Sequence, residues 1–194
     1  MPASDSPALP SRSRAPHAAS PRTPEPADAP VRRTVRPAGL ERLNAVPAEE
    51  AVSALLRCCG SRRWAGLLAG HRPYPDLAAL LAASDEASYD LTPEDLTEAL
   101  AREGTLQAPP AGARGPGTLA AHTALRAAHA AYESRFGHAF VVCTADCPPD
   151  EVLDRVLVSL HARLGNPPEE ERAVTAEELR RSARARLEEL VTRP

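Results

Sequence analysis

The sequence contains no lysine; all 23 of its basic residues, in a chain of 194, are arginine. Schiff-base chemistry and any lysine nucleophile are thereby excluded, and we read the arginine excess as coding bias rather than arginine-specific recognition. Aromatic residues are also scarce, at 3%. That scarcity argues against a β-sandwich, whose strands favour aromatic and β-branched side chains. No apolar run approaches the ~20 residues needed to cross a bilayer, so no membrane partner is expected. The N-terminus lacks a charged start leading into an apolar stretch; no secretory signal is expected, and the expected location is cytoplasmic. A net charge of −3 provides no field that would draw the chain to nucleic acid or anionic lipid.

The common chemical signatures are missing too. H-E-x-x-H, the phosphate-binding P-loop, G-x-S-x-G and the dinucleotide fingerprint are all absent. Gly112, Gly115 and Gly117 follow no strand, so they do not form a phosphate cradle. Cys58, Cys59, Cys143 and Cys147 lack C-x-x-C spacing. Adjacent cysteines rarely bridge, because the geometry is strained. All four read as idle thiols in a reducing compartment. No metal and no cofactor are expected.

What remains divides near residue 38. Up to Pro37 the chain is rich in Pro, Ser, Ala and Arg, with Pro2, Pro7, Pro10, Pro16, Pro21, Pro24, Pro26 and Pro30 forbidding a regular helix. Its few larger apolar residues cannot offset the entropy of ordering. Residues 1–37 therefore read as a disordered Pro/Arg-rich tail, and 38–194 as an all-helical domain.

Helical punctuation runs through that domain. Pro47 opens a helix over Val52, Leu55, Leu56 and Cys59 that Gly60 stops. Ser61 caps a short one through Trp64, Leu67 and Leu68. Pro75 opens another with Leu77, Leu80 and Leu81 on one side, and Thr92-Pro93-Glu94-Asp95 is a strong start for the next, which Gly104 closes. Thr105 to Gly117 reads as a loop. A long helix over Thr118 to Phe136 carries His122, Leu125, His129, Tyr132 and Phe136 on one face. His138 to Thr144 is the one extended, β-prone stretch. Pro149 opens a further helix, and the last spans Pro168 to Thr192 with Ala176, Leu179, Ala183, Leu187 and Leu190 inward. The expected fold is all-α, a single bundle of seven to eight helices.

Histidine is the natural acid or base near neutral pH. His122 and His129 lie two turns apart, about 10 Å at 1.5 Å per residue, too far to share one metal. With His138 they are the imidazoles near the extended stretch.

Several segments carry a resemblance: L-N-A-V-P-A-E-E-A (43–51), C-C-G-S-R-R-W-A (58–65), R-P-Y-P-D-L-A-A-L-L-A-A-S-D (72–85), A-A-Y-E-S-R-F-G-H-A-F-V-V-C (130–143) and L-x-x-R-L-G-N-P-P-E-E-E (160–171). Together they resemble the 2-oxo-4-hydroxy-4-carboxy-5-ureidoimidazoline (OHCU) decarboxylase family, over about Leu40 to Leu190. The resemblance implies a cofactor-free, all-helical, commonly dimeric carboxy-lyase. Its substrate is a small, unstable ureide on the route from urate to (S)-allantoin, part of purine catabolism. The partners implied are that ureide and a second copy of the chain.

The family uses a His-Pro pair, a Glu-Gln pair, an Arg after the F-V-V-C stretch, and backbone groups of that stretch. Here the chain reads Arg102-Glu103-Gly104 at the expected His-Pro, A-P-P-A-G-A-R-G-P-G at the expected Glu-Gln, and T-A-D-C-P-P with Cys147 after F-V-V-C. What matches is Phe140, Val141, Val142, Cys143 and Thr144, the expected substrate-binding stretch. Two readings follow. In one, decarboxylation continues with Glu103 or a histidine, His129 foremost, as proton donor. In the other, the chain is a non-catalytic or repurposed paralogue binding a ureide, a purine derivative or a protein.

Overall fold

The computed structural model describes residues 37–106 and 116–193. They form eight helices: α1 (Ala38–Ala45), α2 (Ala48–Leu55), α3 (Arg62–Gly70), α4 (Leu77–Tyr89), α5 (Pro93–Leu106), α6 (Pro116–Phe136), α7 (Val152–Arg163) and α8 (Pro168–Thr192). No strand occurs among the described residues, and the all-α expectation holds. The tail expected over 1–37 lies almost wholly outside them.

Local chemistry sets the helix starts. Ser61 Oγ accepts the Trp64 N–H at 3.2 Å, and Asp76 accepts the Ala79 N–H at 2.8 Å. At α5 the cap is reciprocal: Thr92 Oγ1 accepts from Asp95 N at 3.2 Å while Asp95 Oδ2 accepts from Thr92 N at 3.1 Å. Gly137, at φ +76°, ends α6 in a conformation that favours glycine.

Four boundaries differ from the sequence expectation. The helix opened at Pro47 stops at Leu55, and a turn carries the chain past Cys58 and Cys59. Asp76, not Pro75, caps α4. Gly104 does not close α5, which continues to Leu106, because one glycine in a helix costs only about 1 kcal/mol. The helix expected at Pro149 begins at Val152.

Two apolar clusters hold the domain together. The larger joins α1 to α5 with α8 around Leu40, Leu55, Trp64, Leu80, Leu179 and Leu187, all fully or almost fully buried. Trp64 donates its indole N–H to Ser84 C=O at 3.2 Å, so its one polar atom is satisfied in the core. The smaller cluster joins Tyr132 of α6, Phe140 and Leu160 of α7. The stretch from Phe140 to Thr144 therefore contributes to both clusters, through Phe140 in one and Val141 in the other.

Candidate active site

Two acidic–basic pairs flank the Phe140–Thr144 stretch. The first is buried completely. Arg163, at the end of α7, donates through Nε at 2.9 Å and one terminal nitrogen at 2.6 Å to Glu171 Oε1. Tyr132 Oη also bonds Glu171 Oε1, Thr175 joins the group, and Asn166 Nδ2 reaches Glu171 Oε2 at 2.9 Å. The other terminal nitrogen of Arg163 donates to Val141 C=O at 2.6 Å, and its guanidinium lies 4.6 Å from the Phe140 ring centre. Burial raises the Glu171 pKa, but hydrogen bonds from Arg163 and Tyr132 outweigh it and hold the carboxylate below its ordinary range. The Tyr132 phenol is pushed up to about 12, chiefly by burial, and stays a donor.

The second pair is Glu103 with Arg186. Glu103 follows Leu96, Ala99 and Leu100 at helical spacing, so α5 turns it inward, where it is 1% exposed. Arg186 of α8 grips both its oxygens, at 2.5 and 2.8 Å, and also reaches Cys58 C=O at 3.2 Å. This bidentate geometry raises the arginine pKa further against the opposing effect of burial.

Glu103 and Arg186 line a cavity of about 550 Å³ together with His129, Phe140, Val141, Val142 and Thr144; Arg126 and Glu133 are also on its wall. His129 stands on α6 with its ring centre 5.6 Å from that of Phe140. Its Nε2 is buried and has no hydrogen-bond partner among the described residues. Burial lowers the His129 pKa below 6.5, with Glu133 pulling the other way. An unpaired buried ring nitrogen is costly, and the side chain that carries it lines a space large enough for a small ligand.

The structure thus brings Glu103, His129, Phe140, Val141, Val142 and Thr144 to one cavity. Cys143 is separated from them. Its side chain is buried, its N–H bonds Glu178 Oε2 at 2.7 Å, and it borders a second hollow that shares Val142, Thr144 and Arg186 with the first. His138 bonds its neighbour Ala139 C=O, packs on Tyr132 and Phe136, and lines a different hollow. The His122 side chain lies outside the described residues. Arg186 was not among the sequence candidates, yet its position three after Ala183 and seven after Leu179 put it beside the inward stripe. A glutamate on the apolar face of α5 was the signal that such a partner had to exist.

Among the described residues no group of three or more His, Cys, Asp or Glu side chains could hold a metal ion, and no helix there is long and apolar enough to cross a membrane. The cavity has the size to take a small molecule and sits on an all-helical scaffold, with two arginines, the His129 imidazole and an irregular backbone segment on its wall. A family model, OHCU decarboxylase, matches residues 44–188, and the chain belongs to that family. It is also similar in fold to a solved structure described as (S)-allantoin synthase. That match has a TM-score of 0.58 and 20% identity, and covers 78% of this chain but 53% of the other. The chain therefore spans about half the length of that protein. A search of curated proteins gave no match.

Proposed function

We propose that this chain decarboxylates 2-oxo-4-hydroxy-4-carboxy-5-ureidoimidazoline to (S)-allantoin in the Glu103–His129–Arg186 cavity. One observation carries the proposal: His129, whose Nε2 has no hydrogen-bond partner among the described residues, lines one cavity with Arg126, Arg186 and the backbone stretch characteristic of the family. The substrate is anionic through its carboxylate, and Arg186 and Arg126 supply positive charge on the cavity wall. Breaking the carbon–carboxylate bond releases CO2 and leaves an electron pair delocalised into the adjoining ring group. Arg186 and backbone donors of the extended stretch stabilise that charge. His129, as imidazolium, then gives a ring N–H proton to one face of the carbon, which fixes the product's hand.

In this proposal Glu103 is a positioning residue rather than the proton donor, because both its oxygens are taken by Arg186. Arg186, arriving from α8, takes the part of the arginine expected after F-V-V-C. The proposal keeps two further expectations. The four unbridged thiols suit a cytoplasmic, reducing setting, and a homodimer is the assembly the family resemblance leads us to expect.

The test is stereochemical. Urate is oxidised and ring-opened enzymatically to generate the unstable intermediate, and product circular dichroism is followed with and without the chain. The expected result is a fast signal from one enantiomer, reduced to the racemic, uncatalysed course by His129→Ala. An unchanged signal in His129→Ala removes that residue from the mechanism. Racemic product from the unaltered chain overturns the decarboxylase proposal. It favours the non-catalytic paralogue, a reading supported by Arg102-Glu103-Gly104 standing where the family keeps His-Pro.

A further inference from the structure

The Phe140–Thr144 stretch has no strand beside it among the described residues. A segment without a ladder must still place its backbone donors and acceptors. Side chains hold two of these groups. Arg163 donates to Val141 C=O at 2.6 Å, and Glu178 Oε2 accepts the Cys143 N–H at 2.7 Å. Val142 lies between them, and its C=O points opposite to the Cys143 N–H of the same planar trans peptide. Its side chain is half-buried and borders the cavity, and its backbone has no hydrogen-bond partner among the described residues.

Neither Arg163 nor Glu178 lines the cavity, so any effect they have on a ligand must pass through the backbone they hold. Arg163 is embedded in the buried Tyr132–Glu171 network, whose loss endangers the fold. Glu178 is different. It sits on α8 with its side chain 17% exposed, and its other oxygen meets Arg181 of the same helix at 3.2 Å. A helix-borne carboxylate with one backbone N–H as its long-range partner is a local clamp on the segment.

We infer that Glu178 is a positioning residue for the proposed reaction, fixing through the Cys143 N–H the direction in which the Val142 backbone faces the cavity. The inference rests on the decarboxylase proposal and adds to it a determinant of stereochemical fidelity. A charge-assisted bond to a backbone donor is among the stronger ones. Without it the segment can turn, and the substrate carbon can present either face to the proton.

The experiment compares Glu178→Gln, Glu178→Ala and Glu178→Asp in the product circular dichroism assay, with thermal melting as control. Glutamine keeps an acceptor at the same reach and should retain the enantiomeric excess. Alanine lacks the acceptor and aspartate is one methylene short. Both should lose most of the excess, with kcat down about tenfold, the equivalent of one lost interaction of ~1.4 kcal/mol in the transition state, and KM changed much less. Melting temperatures of all three should stay within a few degrees of the unaltered chain. If alanine and aspartate variants keep the full excess and kcat, Glu178 does not position the segment and the inference fails, while the decarboxylase proposal stands. If the excess falls only in proportion to a loss of folded protein, the clamp is merely structural and the inference fails likewise. Racemic product from the unaltered chain overturns the decarboxylase proposal first and the inference with it.

Discussion

The Arg163–Glu171 and Arg186–Glu103 pairs use the same two side-chain types on either side of one backbone stretch, yet they are built for different ends. Around Arg163 the neighbouring polar groups are met: Glu171 takes bonds from arginine, tyrosine and asparagine, and the spare guanidinium nitrogen holds Val141. The result is a closed network inside the smaller apolar cluster. Around Arg186 the accounting stays open. Glu103 is fully engaged, but Arg186 lines a cavity, and His129 on the same wall has no partner for its Nε2 among the described residues. A satisfied buried network fixes a structure, and an unsatisfied polar group beside a cavity marks a candidate functional site.

The comparison can be broken most forcefully at Arg163. Arg163→Ala strands the Glu171 carboxylate, 0% exposed, in the protein interior. Removing one partner of a buried pair costs about 3–5 kcal/mol. A fall in Tm on the order of 10 °C is expected for a domain of this size, read by calorimetry. The double replacement Arg163→Met with Glu171→Leu should recover much of that loss, because no charge is left behind. Should Arg163→Ala melt like the unaltered protein, the network does not carry the structural role assigned to it.

Arg186→Ala should give the inverse pattern. The Arg186 side chain is 33% exposed, so solvent can partly replace it at Glu103, and the stability loss should be about 1–2 kcal/mol. Activity should suffer more. Loss of Arg186 from the cavity wall is expected to lower kcat/KM by about a hundredfold or more, in the range found for removing one transition-state donor. Equal melting losses in the two arginine variants would erase the distinction between the pairs.

How much of this was legible beforehand follows the same division. Spacing and caps carried the fold: Ser61, Thr92 and Gly137 act as their residue types suggest, and α8 spans Pro168 to Thr192 as expected. The boundaries that differed involve single prolines and glycines, where a neighbouring residue such as Asp76 offered the chain a better cap. The R-L-G-N-P-P-E-E-E segment was legible as a packing signature, and Arg163, Asn166 and Glu171 now give its chemistry. Glu103 and His129 were candidates that the fold brings to one cavity. Arg186 and Glu178 were not candidates, because each lies 35 or more residues from its partner along the chain. A long-range ion pair leaves no periodic trace in a sequence; only the oddity of an inward glutamate hinted at it.

Acid separates the pairs on a finer scale. The Glu171 pKa is held below 4.5 in the folded protein. A carboxylate depressed in this way contributes stability that is fully present above its unfolded value and lost as pH falls through its folded value. Glu171→Gln should therefore flatten the decline in stability below about pH 4.5, measured by urea unfolding at pH 3 to 6. An unaltered slope in that variant would mean that Glu171 does not contribute to acid sensitivity.

The smallest expected effect belongs to Glu133, one turn after His129 on α6 and exposed on the cavity wall. Its charge raises the His129 pKa while burial lowers it, and burial wins. If protonated His129 is the donor, kcat/KM should rise as pH falls through a value below 6.5, because only then does the free protein hold the proton to be given. Glu133→Gln removes the opposing charge, so the midpoint should move further to acid, and only slightly, because solvent screens the exposed Glu133 carboxylate. Added salt should shrink the difference between the two profiles, since it screens Glu133 in the unaltered chain and has no charge to screen in the variant. A shift to alkaline pH would mean that Glu133 reaches the reaction by some route other than the charge it presents to His129.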